Sequence, residues 1–186
     1  MVELEKKLLL SKEEYDFILK NYGQNKPINK QTNYYFDTDN FSMNRKGITC
    51  RIRLKNGKYK GTIKSHSAGR DKSIESEVSV KNGIFDNAFI DMGLKYQGEL
   101  VTERCIIFKD PNYEVVLDKN HFLEHTDYEL EIEYALNYEK IAELIMQNVI
   151  NLLLTHIPST SLNDIKERRM KSTSKSNRFF ERRLHI

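Results

Sequence analysis

Val2-Glu3-Leu4-Glu5-Lys6-Lys7-Leu8-Leu9-Leu10 opens the chain with a period of two: Glu3, Glu5 and Lys7 fall on one face, Val2, Leu4, Leu8 and Leu10 on the other. Successive side chains of a β-strand point to opposite sides, so the stretch reads as a strand with one charged and one apolar face. Four further stretches repeat this with charge of a single sign. Glu75 and Glu77 share a face, as do Glu129, Glu131 and Glu133; Arg51, Arg53 and Lys55 share another, and Lys60, Thr62 and Lys64 share one on the strand that follows. Three strands are acidic and two are basic.

Solvated outer faces of an ordinary barrel explain any one such group. They explain all five poorly, because like charges adjacent on a strand face repel and solvent-facing strands tend to mix signs. The opposite faces carry Leu4, Leu8 and Leu10, Ile52 and Leu54, Ile74, Val78 and Val80, and Leu130 and Ile132, which suit packing under helices. The expected barrel is therefore inverted, apolar outside and charged within.

The remaining elements follow from local signals. Ser11 and Glu14 have capping-box spacing, and Tyr15, Ile18 and Leu19 stripe a short helix that ends near Gly23. Strands are expected at 31–37, 49–55, 58–65, 73–80, 100–108, 113–122 and 127–136, eight with the first. Asn56-Gly57 is a strong hairpin signal, and Asp110-Pro111-Asn112 marks a second turn. Helices are expected at 82–92, at 138–157 with the stripe Ile141, Ile145, Val149, Leu152 and Leu153, and at 162–171. A chain of 186 residues suits one domain spanning 1–186, with a basic helix and tail at about 162–186.

Composition narrows the function. Hydrophobic residues at 39% exclude general disorder, and a net charge of +3 is too small to imply a nucleic-acid partner by bulk electrostatics. No long apolar run spans a bilayer and no cleavable signal pattern is seen, so neither membrane insertion nor secretion is expected. Cys50 and Cys105 form no CxxC or zinc spacing, and a reducing cytoplasm is the expected location. A charged interior costs several kcal/mol per desolvated ion unless ions pair or bind ligands. Carboxylates without His or thiolate partners suit a hard cation, Mg²⁺ or Mn²⁺, and guanidinium forks and lysines suit phosphate.

Glu3-Leu4-Glu5-Lys6-Lys7 is followed in order by Arg51-Ile52-Arg53, Thr62-Ile63-Lys64, Glu75-Ser76-Glu77, Thr102-Glu103-Arg104, Leu117-Asp118 and Glu129-Leu130-Glu131-Ile132-Glu133. In this order, over about residues 2–135, the chain resembles the CYTH superfamily of triphosphate tunnel metalloenzymes, whose first strand carries Glu-x-Glu-x-Lys. Leu117-Asp118-Lys119-Asn120 and Asp127-Tyr128-Glu129-Leu130-Glu131 are similar to bacterial members labelled adenylate cyclases. The resemblance implies an α+β fold: a closed eight-stranded antiparallel β-barrel, or tunnel, with a charged interior and helices outside. It implies metal ligands Glu3, Glu5, Glu129 and Glu131 for Mg²⁺ or Mn²⁺, and phosphate-binding residues Lys7, Arg51, Arg53, Lys64 and Arg104. Glu75, Glu77 and Lys7 are the implied catalytic groups, Glu75 and Glu77 serving a second metal or orienting the attacking water. Asp118 joins the candidates for the acidic wall. The role of Glu133 stays open, as do those of Lys175 and Arg178, which are either family basic residues or solvated.

The implied activity is hydrolysis of a triphosphate by metal-activated water, the partner being a triphosphate-containing small molecule or inorganic polyphosphate. A class IV-like adenylate cyclase making cyclic AMP and pyrophosphate is the alternative, and a non-catalytic polyphosphate- or nucleotide-binding module the second; the lack of a convincing adenine pocket puts hydrolysis first. Formation of a homodimer stays open. His66, His121, His125, His156 and His185 show no metal spacing and are assigned ordinary surface or core roles. Tyr34, Tyr35 and Phe36 are read as core, the glycines match no phosphate-loop fingerprint, and the basic tail is read as a solvated helix face.

Overall fold

Asn56 and Gly57 both take positive φ, 51° and 72°, the turn conformation whose twist matches the strands it joins. Around it β3 (Ile48–Lys55) pairs with β4 (Lys58–His66), one of eight antiparallel pairings that close a barrel. In the computed structural model, which describes residues 2–66, 72–81 and 83–185, the other strands are β1 (Val2–Leu10), β2 (Ile28–Asp37), β5 (Lys72–Val78), β6 (Lys95–Lys109), β7 (Tyr113–Phe122) and β8 (His125–Tyr134). Their order around the barrel is β1-β5-β4-β3-β2-β6-β7-β8, and β8 returns to β1. The expected closed eight-stranded antiparallel barrel with helices outside is what forms.

The apolar strand faces turn outward. Leu8, Leu10, Leu117, Leu130 and Ile132 pack under α1 (Lys12–Tyr22) and α4 (Glu139–His156), which bury Tyr15 and Ile18, and Ala142, Met146, Ile150 and Leu153. On the far side Phe36, Cys50, Ile52 and Leu94 meet Phe89 of the short α3 (Asn87–Ile90). The capping box of α1 is made in full, Ser11 Oγ accepting from Glu14 N and Glu14 accepting from Ser11 N. Two details of the outer packing differ from expectation. Ile141 of the expected α4 stripe faces solvent because the helix is apolar on more than one side and seats itself by Ala142, Met146 and Ile150; Ile74 on β5 is also exposed.

Other differences are local. Residues 83–92 form no single helix: a 3₁₀ turn (Gly83–Phe85) and α3 are separated by Asp86, whose carboxylate accepts from Ala88 N and Lys81 N and caps the second piece. Residue 82, where that helix was expected to start, lies outside the described residues. β6 begins five residues early, since pairing with β2 carries through Gly98, and a short α2 (Ser42–Arg45) follows β2.

The largest correction concerns the basic tail. α5 (Leu162–Lys171) forms as expected, but residues beyond it are not a solvated face. Ser174 caps a further helix, α6 (Lys175–Arg183), whose Phe179 and Phe180 enter one end of the barrel and pack on Tyr35, Leu100 and Phe122. Gly98 makes room for it: its φ is +136°, and a Cβ there would lie 2.8 Å from the Phe179 ring. Residues 168–172 also flank β1, Leu9 N donating to Ser172 Oγ and Arg168 Nη1 to Leu9 O.

A charged tunnel closed by a helix

Register decides which charges meet. Across β6, β7 and β8, Arg104 stands opposite Asp118 and Asp118 opposite Glu129; across β1 and β8, Lys7 stands opposite Glu131 and Glu5 opposite Glu133. On the other half, Asn33 stands opposite Arg53 and Tyr35 opposite Arg51, while Lys64 stands opposite Glu75. Residues paired directly across neighbouring strands point to the same side of the sheet, so the pairings carry the face of Glu3 and Glu5 around the barrel and turn all these positions into the same interior.

The acidic half is a dense ionic cluster. Asp118, Glu129 and Glu131, all buried, each place a carboxylate oxygen within 4.8 Å of the other two. Lys175 Nζ, from the first turn of α6, lies 2.9 Å from Asp118 Oδ2, 2.9 Å from Glu131 Oε1 and against Glu129 Oε1. Arg178 donates to Glu129 Oε2 at 2.8 Å and to Asp127 Oδ2 at 2.8 Å. Lys7 bridges Glu131 and Glu5, and Arg104 reaches Asp118, Glu131 and Glu133. Burial pushes the Glu129 carboxyl up, but Arg178 and Lys175 outweigh it and hold the group at about 2. Glu131, against its own burial, is held well below the carboxylate range by Lys175, Lys7 and Arg104. Glu133 shifts the other way, because burial outweighs Arg104.

The basic half is less compensated. Arg51 donates to Thr62 Oγ1 at 3.0 Å and to Glu75 Oε2 at 3.2 Å; Lys64 donates to Glu3 at 2.6 Å and Glu5 at 3.5 Å. Arg53 differs from both. Its Nε donates to Asn33 Oδ1 at 2.8 Å, and it makes no ion pair among the described residues. Burial, then Arg51 and Arg104, pull its guanidinium down to about 10. Beside it, Asn33 Nδ2 and Gln31 Nε2 are buried and without a partner among the described residues, as is His66 Nε2. Burial, then Lys64, lowers the His66 imidazole below its ordinary value. The cavity between the halves has a volume of about 70 Å³ and is lined by Glu5, Gln31, Arg53, Arg104, Glu131 and Lys175 among others.

The interior thus gathers Glu3, Glu5, Lys7, Arg51, Arg53, Lys64, Glu75, Arg104, Glu129 and Glu131. Glu77 is not among them: it pairs with Lys60 at 2.5 Å in solvent, with 71% of its side chain exposed. The carboxylates that converge are Asp118, Glu129 and Glu131, whereas Glu3 and Glu5 lie on the Lys64 side. Three carboxylates without nitrogen or sulfur donors suit a hard divalent cation. Lys175 and Arg178, whose role stayed open in the sequence, are inside the tunnel. Gln31 and Asn33 were missed there; their alternation with Tyr35 was the available signal.

The CYTH domain family matches residues 1–148. A Bacillus subtilis (strain 168) protein named "Putative triphosphatase YjbK" is 33% identical over 149 residues, 72% of this chain and 78% of the relative. A crystal structure from Bacillus halodurans titled "putative adenylate cyclase" superposes with a TM-score of 0.67 at 26% identity, covering 96% of this chain and 97% of that one. A Hippeastrum protein, whose title reports a dominant triphosphatase activity for it, shares the fold with a TM-score of 0.59 at 15% identity over 80% of this chain and 85% of its own. Barrel order, inward charge and these likenesses agree, and the chain belongs to the CYTH domain family.

Proposed function

We propose that the protein hydrolyses a triphosphate, inorganic tripolyphosphate or a nucleoside or other organic triphosphate, inside the barrel. The observation that carries this reading is Arg53, a guanidinium aimed into the tunnel without an ion pair among the described residues, beside the unpartnered amide donors of Gln31 and Asn33. A desolvated cation with no counterion is costly, and these donors fit phosphate oxygens. Across the cavity from Arg53 the wall includes Glu131, on which the buried Asp118 and Glu129 converge. A ligand with several adjacent anionic groups, itself able to share a hard cation, satisfies both halves at once. The names of the relatives support the same substrate class.

Phosphoryl transfer needs mainly positioning and charge stabilisation, so no covalent nucleophile is required. Arg53, Arg51 and Lys64 bind the phosphate oxygens, Arg51 being aimed by Glu75 and Thr62. Glu75, paired with Arg51 where Glu77 is turned to Lys60 in solvent, is the member of the pair to which we assign orientation of the attacking water. Lys7 holds Glu5 and Glu131 in place, and Arg104 holds Asp118. Asp118, Glu129 and Glu131 would hold Mg²⁺ or Mn²⁺, which neutralises phosphate charge and acidifies water when bound, while Glu3 and Glu5 face Lys64 instead. No helix among the described residues is long and apolar enough to cross a membrane; the reading places a single-domain enzyme in the cytoplasm.

The test is a metal-by-substrate screen of the purified protein with Mg²⁺ or Mn²⁺ against tripolyphosphate, ATP, GTP and thiamine triphosphate. Orthophosphate release is expected. Cyclic AMP with pyrophosphate from ATP would assign a cyclase instead, and no turnover of any of the four would overturn both.

A further inference from the structure

We infer that Lys175 is a tethered competitor for the divalent cation: its ammonium fills the seat made by Asp118, Glu129 and Glu131 and has to leave when the metal enters. The inference rests on the proposed role of these carboxylates as cation ligands. Lys175 Nζ contacts one oxygen of each, at 2.9 Å from Asp118 and 2.9 Å from Glu131 and against Glu129. Among the described residues these three carboxylates are the group whose oxygens converge closely enough for a metal. Lys7 touches Glu131, Arg104 touches Glu131 and Asp118, and Arg178 uses the other oxygen of Glu129, so among the described residues Lys175 is the cation common to all three.

Charge makes joint occupancy unfavourable. Lys175, Lys7, Arg104 and Arg178 already surround three carboxylates, and a divalent ion added at ordinary carboxylate distance would sit within a few ångströms of the ammonium, where like charges repel strongly. The geometry also provides a way out. Lys175 is the first residue of α6, directly after the Ser174 cap, whereas the helix is anchored further along by the buried Phe179 and Phe180. The side chain can therefore withdraw while the plug stays seated. Lys175 also lines the cavity beside Gln31 and Arg53, so the displaced ammonium remains within reach of an anion there. Metal entry then adds a donor to the phosphate side.

The test is Mn²⁺ binding without substrate, measured by calorimetry and by the electron spin resonance signal of free Mn²⁺, on the full chain and on Lys175→Met. The variant should bind Mn²⁺ about tenfold more tightly or better, since a competing charge is gone. Equal or weaker binding would overturn the inference. Should Lys175→Met fold only with Mn²⁺ present, that metal-dependent folding also supports it. A second measurement needs no variant: reductive methylation of the wild-type protein, mapped by mass spectrometry, should label Lys175 more when Mn²⁺ is added, and unchanged labelling would count against displacement. Triphosphate turnover by the wild type is assayed in parallel. Turnover without tighter binding by the variant removes the competitor role alone; tighter binding without turnover removes the proposed reaction alone.

Discussion

Arg104 closes both oxygens of Asp118 in one fork, Nε on Oδ1 at 2.9 Å and Nη2 on Oδ2 at 2.7 Å. Asp118 has no solvent exposure, so the fork is what compensates that end of the acidic cluster together with Lys175. Removing one partner of a buried pair strands the other, at about 3–5 kcal/mol. Arg104→Ala should lose stability on that scale in urea unfolding followed by circular dichroism, the probe of choice in a chain with no Trp. Arg104→Met combined with Asp118→Asn should lose less than the two single changes together. Full additivity would mean the pair is not coupled.

Arg53→Ala predicts the opposite balance. Arg53 has a neighbouring amide but no carboxylate partner among the described residues, and Arg51 and Arg104 repel it. Its removal should leave the melting temperature unchanged or higher while lowering kcat/KM for tripolyphosphate by roughly 10²-fold, the scale of a lost charge-stabilising donor. A destabilisation like that of Arg104→Ala would show that the guanidinium is structural.

The two acids of β5 separate in the same manner. Glu75 holds Arg51 at 3.2 Å, whereas Glu77 shares a surface pair with Lys60. Exposed pairs contribute little. Glu77→Gln should stay within about twofold of wild-type turnover, and Glu75→Gln should lose at least about tenfold in kcat, as expected when a group that orients a water or a cation is neutralised. Equal losses would restore Glu77 to the machinery.

These contrasts mark what the sequence disclosed. Period-two charge was sufficient to turn the barrel inside out and to bring Glu3, Arg51 and Glu131 to one interior, because strand parity is a local property. Pairing between strands is not a property of one strand: that Asp118 completes a cluster with Glu129 and Glu131 follows from the register of the β7–β8 hairpin, and that Glu3 and Glu5 turn to Lys64 follows from contacts 61 and 59 residues apart in sequence. The tail was misread for a related reason. Phe179 and Phe180 are adjacent and set among charges, so they make no stripe that periodicity detects, and only the open barrel end beneath Gly98 turns them into an anchor.

That anchor should be sensitive to volume on either side. Phe179 is fully buried against Tyr35, Leu100 and Phe122, so Phe179→Ala should cost about 3–5 kcal/mol. Gly98→Ala attacks the same contact from the strand, placing a Cβ 2.8 Å from the ring at a φ of +136° that side chains rarely adopt. Both variants should unfold at lower urea concentration, and the pair should be less than additive, since a missing ring no longer meets the new methyl. A stable Gly98→Ala would show that α6 does not occupy the barrel end.

Acid should unfold the protein through its acidic half. Glu129, at about 2 in the folded state against an ordinary value of 4.5, and Glu131, shifted the same way, bind protons less readily when folded than when unfolded. Their contribution to stability is therefore complete above pH 4.5 and is lost as the pH falls through the folded value of about 2. Glu133 has the opposite sign, because burial raises it: its favourable term is complete below pH 4.5 and disappears as the pH rises through its folded value. Urea unfolding between pH 7 and pH 2 should show stability dropping as the pH falls through the window from 4.5 toward 2. Glu133→Gln should be more stable than wild type at pH 7, with the advantage vanishing near pH 4. A flat profile in the acid limb, or a Glu133→Gln gain that persists at pH 4, would mean that these carboxylates do not titrate as their neighbours dictate.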